Sequence, residues 1–230
     1  SYNLIDNSLI DQVKDIEVHK TASFEILKLY SIFKSGNKTR AIPQSYIPTQ
    51  SLFDKIALFI RLNFFIPDSR IGWNYFAFKK AKKLIEDNNI NCVITTGPPH
   101  SSHLIGKKIY NKFKLKWIVD LRDPWAELFY LKNKFQFNYV KKLNLKFELD
   151  VLNSADAILT TVGNRYKTIL RDKLSNTNKI YKIYNGYDKI AYDKIEEIKP
   201  DSYNIVFTGI LSKNHNYKLF LEVLSLLKDK

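Results

Sequence analysis

The sequence predicts an α/β fold, a doubly wound parallel sheet with helices on both faces. Three observations predict it. From about Asn74 onward, short β-rich runs alternate with longer stretches of helical periodicity. Parallel pairing needs such helix-length crossovers, which are right-handed in nearly every known case. Polar clusters follow two of the β-rich runs, and open α/β sheets bind ligands outside the carboxyl ends of their strands.

The elements follow in order. The first seventy or so residues carry only local helix patterns and a turn at Lys34–Lys38, with no internal repeat. No Gly-rich phosphate loop appears there, so the opening strand of the sheet is expected to be missing. The stretch "LFDKIALFIRLNFFIPD", Leu52 to Asp68, mixes Phe and Leu with Lys55 and Arg61. It reads first as a core helix packed on the sheet, and alternatively as a helix lying on anionic lipid. "NYFAFKKAKKLIEDNN" (Asn74–Asn89) sets Phe76, Ala77, Ala81, Leu84 and Ile85 on one helical face. "INCVITT" (Ile90–Thr96) reads as a buried strand, and "SHLIGKKIYNKF" (Ser102–Phe113) as a helix. "KWIVDL" (Lys116–Leu121) is a strand and "KKLNLKFELDVLNSA" (Lys141–Ala155) a long amphipathic helix. "DAILTTV" (Asp156–Val162), "NRYKTILRDKL" (Asn164–Leu174) and "KIYKIYN" (Lys179–Asn185) read as strand, helix and strand. Charge, Pro200 and Ser202 mark a linker over Glu196–Asn204. A new strand, Ile205–Leu211, and a new helix, Tyr217–Asp229, follow it. One β–α unit cannot bury its own faces, so this piece is expected to begin a second, truncated domain. The expected domains are therefore 1–195, incomplete at its start, and 196–230.

Composition bounds the function. The chain has 230 residues, 45% hydrophobic and 26% charged, which suits a soluble globular protein with a sizeable core. The longest apolar run, Ile56–Ile66, is broken by Arg61 and Asn63 and is too short to span a bilayer. No secretory signal is visible. The single cysteine, Cys92, excludes an internal disulfide framework and points to a reducing, cytoplasmic setting. The net charge of +14 attracts phosphates in nucleic acid, anionic lipid or a nucleotide. Abundant Lys, Asn and Ile offer a compositional explanation of the same surplus. The chain has no methionine, so it reads as a fragment.

Two clusters carry the chemistry. In "CVITTGPPHSSHLIG", Gly97 permits a sharp exit from the strand, and Pro98 and Pro99 stiffen the loop. His100, Ser101, Ser102 and His103 then open the next helix, whose free N–H groups suit an anion or a hydroxyl-bearing ligand. One of the two serines is expected to be the N-cap. The second cluster is "VDLRDPW", where Asp120, Arg122 and Asp123 follow a buried run. Charges there are costly unless paired or used on ligand. Either Arg122 pairs with Asp123 in a turn, or both face a cleft.

The residues "FFIPDSRIGW…TTGPPHSSHLIG…KWIVDLRDPW…VLNSADAILTT…IYNGYD…FTGIL" resemble a glycosyltransferase of family four, of the bacterial type that builds surface polysaccharide. The resemblance covers residues 64–211, and "DNSLIDQV" (Asp6–Val13) resembles the segment after the family's second strand. "PPHSSHLIG" and "DLRDPW" are its specific motifs. The resemblance implies a GT-B fold, two Rossmann-like domains facing a cleft. It implies an amino-terminal acceptor domain and a carboxy-terminal domain for a nucleotide-activated sugar. Transfer retains anomeric configuration and needs no metal or cofactor. The implied partners are a nucleotide-sugar donor and a saccharide or lipid-linked acceptor, at the inner face of the plasma membrane.

Carried over, the family's proline-rich loop falls on Gly97, Pro98, Pro99, His100, Ser101 and His103, and its charged strand end on Arg122, Asp123 and Trp125. The hinge-side turn falls on Asn185 and Gly186, and the donor side on Gly209 and His215. The family often has a histidine where Arg122 stands. Arg122 cannot act as a base, so it is expected to neutralise a diphosphate or orient an acceptor, leaving His100 to handle a proton. The donor-side arginine of the family is replaced by Ile210, so this chain is expected to transfer sugar poorly. Two rival classes remain. One is another GT-B enzyme such as a nucleotide-sugar epimerase. The other is a non-enzymatic basic module for nucleic acid, which the scattered lysines argue against.

Overall fold

The computed structural model describes residues 14–24, 51–126, 134–161, 163–193, 204–209 and 216–227. Two compact units emerge, Ser1–Asn185 and Gly186–Lys230. The division falls ahead of the expected linker, of which residues 196–203 lie outside the described residues, as do the turn at Lys34–Lys38 and the stretch Asp6–Val13.

The first unit holds helix α1 (Leu52–Phe64), a 3₁₀ turn at Ile71–Trp73, and helix α2 (Asn74–Asp87). Then strands and helices alternate: β1 (Cys92–Gly97), α3 (Ser101–Phe113), β2 (Lys116–Leu121), α4 (Asn138–Ser154), β3 (Ala157–Thr160), α5 (Asn164–Asp172) and β4 (Ile180–Lys182). The four strands form one all-parallel sheet in the order β1-β2-β3-β4. This is a Rossmann-like α/β arrangement. Every strand and helix expected from Asn74 to Lys182 is present within a few residues. The register pairs Thr96 with Asp120 and Gly97 with Leu121, which aligns the carboxyl ends of β1 and β2.

The order of the strands sets which face the described helices cover. A chain that steps always in the same direction, with right-handed crossovers, lays every crossover helix on one face. The core is accordingly one-sided. Trp117, Val119 and Leu121 of β2, Ile158 of β3 and Ile180 of β4 are buried against Val151 and Leu152 of α4 and Leu170 of α5. The opposite face is open among the described residues, with Ile94 64% and Tyr181 53% exposed. β1 is therefore not the fully buried strand expected. It alternates, with Cys92 and Thr96 exposed and Thr95 and Gly97 buried, because β2 is its only described partner and α2 and α3 cover only one side.

Helix α1 also departs from the core reading. It starts with a capping box in which Ser51 and Asp54 each accept from the other's backbone N–H. Its fully buried residues are Asp54 and Asn63, while Leu58 and Leu62 are partly buried and Leu52, Phe53, Ile56, Phe59, Ile60 and Phe64 are exposed.

The second unit contains α6 (Lys189–Asp193) and α7 (Tyr217–Leu227). The strand expected from Ile205 is absent over residues 204–209, where Ile205, Val206 and Phe207 are all more than half exposed. α7 buries none of its residues.

Candidate functional site

The carboxyl ends of β1 and β2 meet at the Gly-Pro-Pro corner. The chain leaves β1 at Gly97 and turns through Pro98 and Pro99, and both X–Pro bonds are cis. Arg122, one residue past β2, clasps this corner twice. Its backbone N–H donates to Gly97 O at 3.0 Å, and its guanidinium Nη2 donates to Pro98 O at 2.6 Å. No ion pair joins Arg122 to Asp123 among the described residues, so the simple pairing considered from sequence is not how the charge is used. Asp120 instead accepts from the Thr96 hydroxyl at 2.7 Å, across the open face of the sheet.

The N-terminus of α3 is already occupied by a carboxylate of the chain itself. Asp68 accepts from the Ser101 backbone N–H (2.8 Å), the Ser101 hydroxyl (2.8 Å) and the Arg70 N–H (2.9 Å). The N-cap position is His100, with no side-chain cap of its own, so neither serine caps the helix as expected. The Ser102 hydroxyl lies 2.6 Å from Thr96 O and 2.8 Å from Pro99 O, so its one proton serves these two carbonyls of the corner. Asp68, being negative and next to the first turn, supplies what an anionic ligand would supply there. Sequence reasoning missed it because Asp68 and Ser101 lie 33 residues apart. The motif "IPDSR" was the available signal.

The two histidines lie beneath the corner rather than at its mouth. His103 is fully buried and His100 is 5% exposed. His100 stacks on Trp125, with ring centroids 4.9 Å apart and 9° between planes. Trp125 is itself buried, and its indole N–H donates to Asn144 of α4 at 2.7 Å. The His100 Nε2 lies 3.2 Å from Pro124 O. A carbonyl only accepts, so Nε2 carries the proton and Nδ1 of the neutral ring does not. His103 Nδ1 meets Thr95 Oγ1 at 2.9 Å, and Thr95 also accepts from the Trp117 indole N–H at 2.9 Å. Burial pushes His100 down to about 4, against the opposing pull of Asp68 and Asp123. Burial, with His100 and Arg122 nearby, pushes His103 down to about 3. Both rings are neutral at physiological pH. Gly97 must be glycine here, since a Cβ would sit 2.5 Å from His103 Nε2 and 3.0 Å from His100 Nδ1.

A groove of about 460 Å³ lies beside β1. Its walls are largely apolar, from Ala77, Ala81 and Leu84 of α2 and Ile105 and Ile109 of α3. Its polar end is formed by Thr96, Ser102 and Arg122 beside Pro98 and Pro99. A groove of this size with few polar groups at one end suits a small organic ligand. Of the residues singled out from sequence, Pro98, Pro99 and Arg122 reach this groove, while Gly97, His100, Ser101, His103 and Trp125 build the layer beneath it. Ser102, singled out with them, also lines the groove, and Thr96 is an additional lining residue. Asn185 and Gly186 are exposed at the division between the units. Gly209, in the second unit, has φ +145°, a conformation that favours glycine. His215 and Ile210 lie outside the described residues. Among the described residues no cluster of three or more His, Cys, Asp or Glu could hold a metal ion.

Searches of family models, of curated proteins and of solved structures each returned no match to this chain.

Proposed function

We propose that this chain forms the acceptor-side part of a family-four-like GT-B glycosyltransferase, which moves a sugar from a nucleotide-sugar donor to a lipid-linked saccharide acceptor in bacterial surface-polysaccharide synthesis. One observation carries the reading. The two stretches with the specific resemblance, Gly97–His103 and Arg122–Trp125, are fastened to each other by the Arg122–Pro98 hydrogen bond and the His100–Trp125 stack, beside an open groove. Ligands of open α/β sheets bind at the carboxyl ends of strands, where the winding reverses. In this reading the sheet is one half of a doubly wound sheet, and the reversal falls at the edge of β1 that has no partner strand among the described residues. The second unit, Gly186–Lys230, supplies the start of the donor domain, with Gly209 and His215 on the donor side.

The division of labour follows from the chemistry. Arg122 is exposed, permanently charged and spends one N–H on Pro98 O, which leaves further donors of its fork for a diphosphate or an acceptor hydroxyl. Thr96 and Ser102 line the same end of the groove, where their hydroxyl oxygens, with their protons spent on Asp120 and on backbone carbonyls, can still accept from a ligand hydroxyl. His100 is neutral and buried, so it serves as a positioning residue for the corner rather than as a proton carrier in the groove. In this reading transfer retains anomeric configuration and needs no metal.

The test is transfer of labelled sugar from nucleotide-sugars to lipid-linked acceptors by the full-length protein. Transfer is expected, and Arg122→Lys should lower turnover at least about tenfold, because a point charge does not reproduce the fork. The 230-residue chain alone should bind nucleotide-sugar no more tightly than about millimolar, roughly 4 kcal/mol. Interconversion of nucleotide-sugars without acceptor would instead establish an epimerase. Salt-dependent binding of random oligonucleotides at physiological ionic strength, without transfer, would establish a basic binding module.

A further inference from the structure

The hydroxyl protons at the polar end of the groove are spent within the chain itself. β1 and β2 run in register there, with Thr96 beside Asp120 and Ile94 beside Ile118. Alternate residues of a strand share a face, so these four stand together on the open side of the sheet. Asp120 is the only acidic residue in the four described strands. A carboxylate set beside aliphatic side chains is costly unless it is used. Here it holds the Thr96 hydroxyl at 2.7 Å. An ionised carboxylate only accepts, so the single proton of Thr96 points at Asp120. The single proton of Ser102 is likewise committed, to Thr96 O and Pro99 O.

Thr96 and Ser102 line the groove, and Asp120 is not among its lining residues. A ligand at this end therefore meets two hydroxyl oxygens that can only accept. It also meets Arg122, which can only donate and has spent one N–H on Pro98 O. An ionised phosphate carries acceptor oxygens alone. It would satisfy Arg122 but turn its oxygens against the lone pairs of Thr96 and Ser102. The strand end also sets two carboxylates, Asp120 and Asp123, against one guanidinium, so it holds no surplus of positive charge for an anion. An alcohol satisfies both sides. Its O–H donates to Thr96 or Ser102, and its oxygen accepts from Arg122.

We infer that Asp120 is a positioning residue that makes this end of the groove selective for a hydroxyl group over a phosphate. It acts through Thr96, by drawing that side chain's proton away from the ligand. The ligand class is an alcohol with an apolar part that fits the walls of α2 and α3. The inference rests on the proposed function only in taking the groove as a substrate site; there the group held is an acceptor hydroxyl, and the diphosphates bind elsewhere.

The experiment compares two probes with the same eight-carbon tail, n-octyl β-glucoside and n-octyl phosphate, each below its micellar concentration. Binding to the full chain is followed by tryptophan fluorescence, since Trp73 lines the groove. The native protein should bind the glucoside at least about tenfold more tightly than the phosphate. Asp120→Ala frees the Thr96 proton and should lower that ratio at least about tenfold, chiefly by tightening the phosphate. Thr96→Val removes the oxygen itself and should weaken the glucoside about fivefold with little change for the phosphate. Circular dichroism and a urea midpoint verify folding; Thr96 is exposed, so its variant is the second arm if Asp120→Ala fails to fold. Four results would overturn the inference. The first is tighter native binding of the phosphate, whether through Arg122 or through Lys80, which also lines the groove. The second is a ratio unmoved by either variant. The third is an equal loss of both probes, which would make the Thr96–Asp120 bond a structural tie between strand ends. The fourth is binding of neither probe. No nucleotide-sugar is present in these titrations, so a full-length protein that fails to transfer sugar would remove the proposed function and leave this measurement standing.

Discussion

Acidification should unfold this protein through its two buried histidines. Both rings are held neutral in the native state, His100 at about 4 and His103 at about 3, chiefly by burial. An unfolded histidine titrates near 6.5. The folded values lie below the unfolded one, so the sign is fixed. Above about pH 6.5 both states are neutral and nothing changes. As the pH falls below it, the unfolded chain takes up protons that the native chain refuses, and stability is lost until the folded values are reached. At pH 5 each ring costs about 2 kcal/mol, so the pair costs about 4 kcal/mol relative to pH 7.5. That is a large share of the roughly 5–15 kcal/mol of a typical domain. The assay is urea unfolding at several pH values between 7.5 and 5, a window that stops above the ordinary carboxylate range. The variant His100→Gln/His103→Gln should begin less stable and lose most of the slope, which separates these rings from His19 and His215. A wild-type loss below about 1 kcal/mol across the window would refute the argument. So would a slope that survives in the double variant.

Two further outcomes follow from the packing beneath the corner. Gly106→Ala should destabilise by about 1–3 kcal/mol in a urea midpoint, although alanine is the better helix former by about 1 kcal/mol. The new Cβ would lie 2.4 Å from Trp117 Nε1 and 2.7 Å from Thr95 Cγ2, both in the core; a stabilised variant would contradict the close packing of α3 on β2. Asp68→Ala should cost about 2 kcal/mol by thermal or urea unfolding, because three donors at the start of α3 lose their acceptor. It should also push the His100 pKa lower still, since Asp68 raises it, which imidazole NMR titration reads directly.

The sequence by itself determined the order and kind of the elements from Asn74 to Lys182. Periodicity is local, and each helix or strand there carries its own apolar pattern over consecutive residues. It also located the corner, because Gly97, Pro98 and Pro99 are punctuation in any fold. What it left open lies in contacts between distant residues. Asp68 reaches Ser101 and Asn63 reaches Phe135 and Phe137, and no periodic pattern records a hydrogen bond across 33 or 72 residues. Burial of His100 and His103 was equally hidden. Histidine next to serine at a strand end reads as a site, and only the stack on Trp125 and the approach of Gly97 place the rings beneath the corner. The direction of α1 was the other silent fact. An amphipathic pattern fixes that a helix has two faces, but burial is decided by the partners that tertiary structure brings: Asn63, on the same arc as the exposed Leu52 and Ile56, is buried because its amide meets the backbone of Phe135 and Phe137.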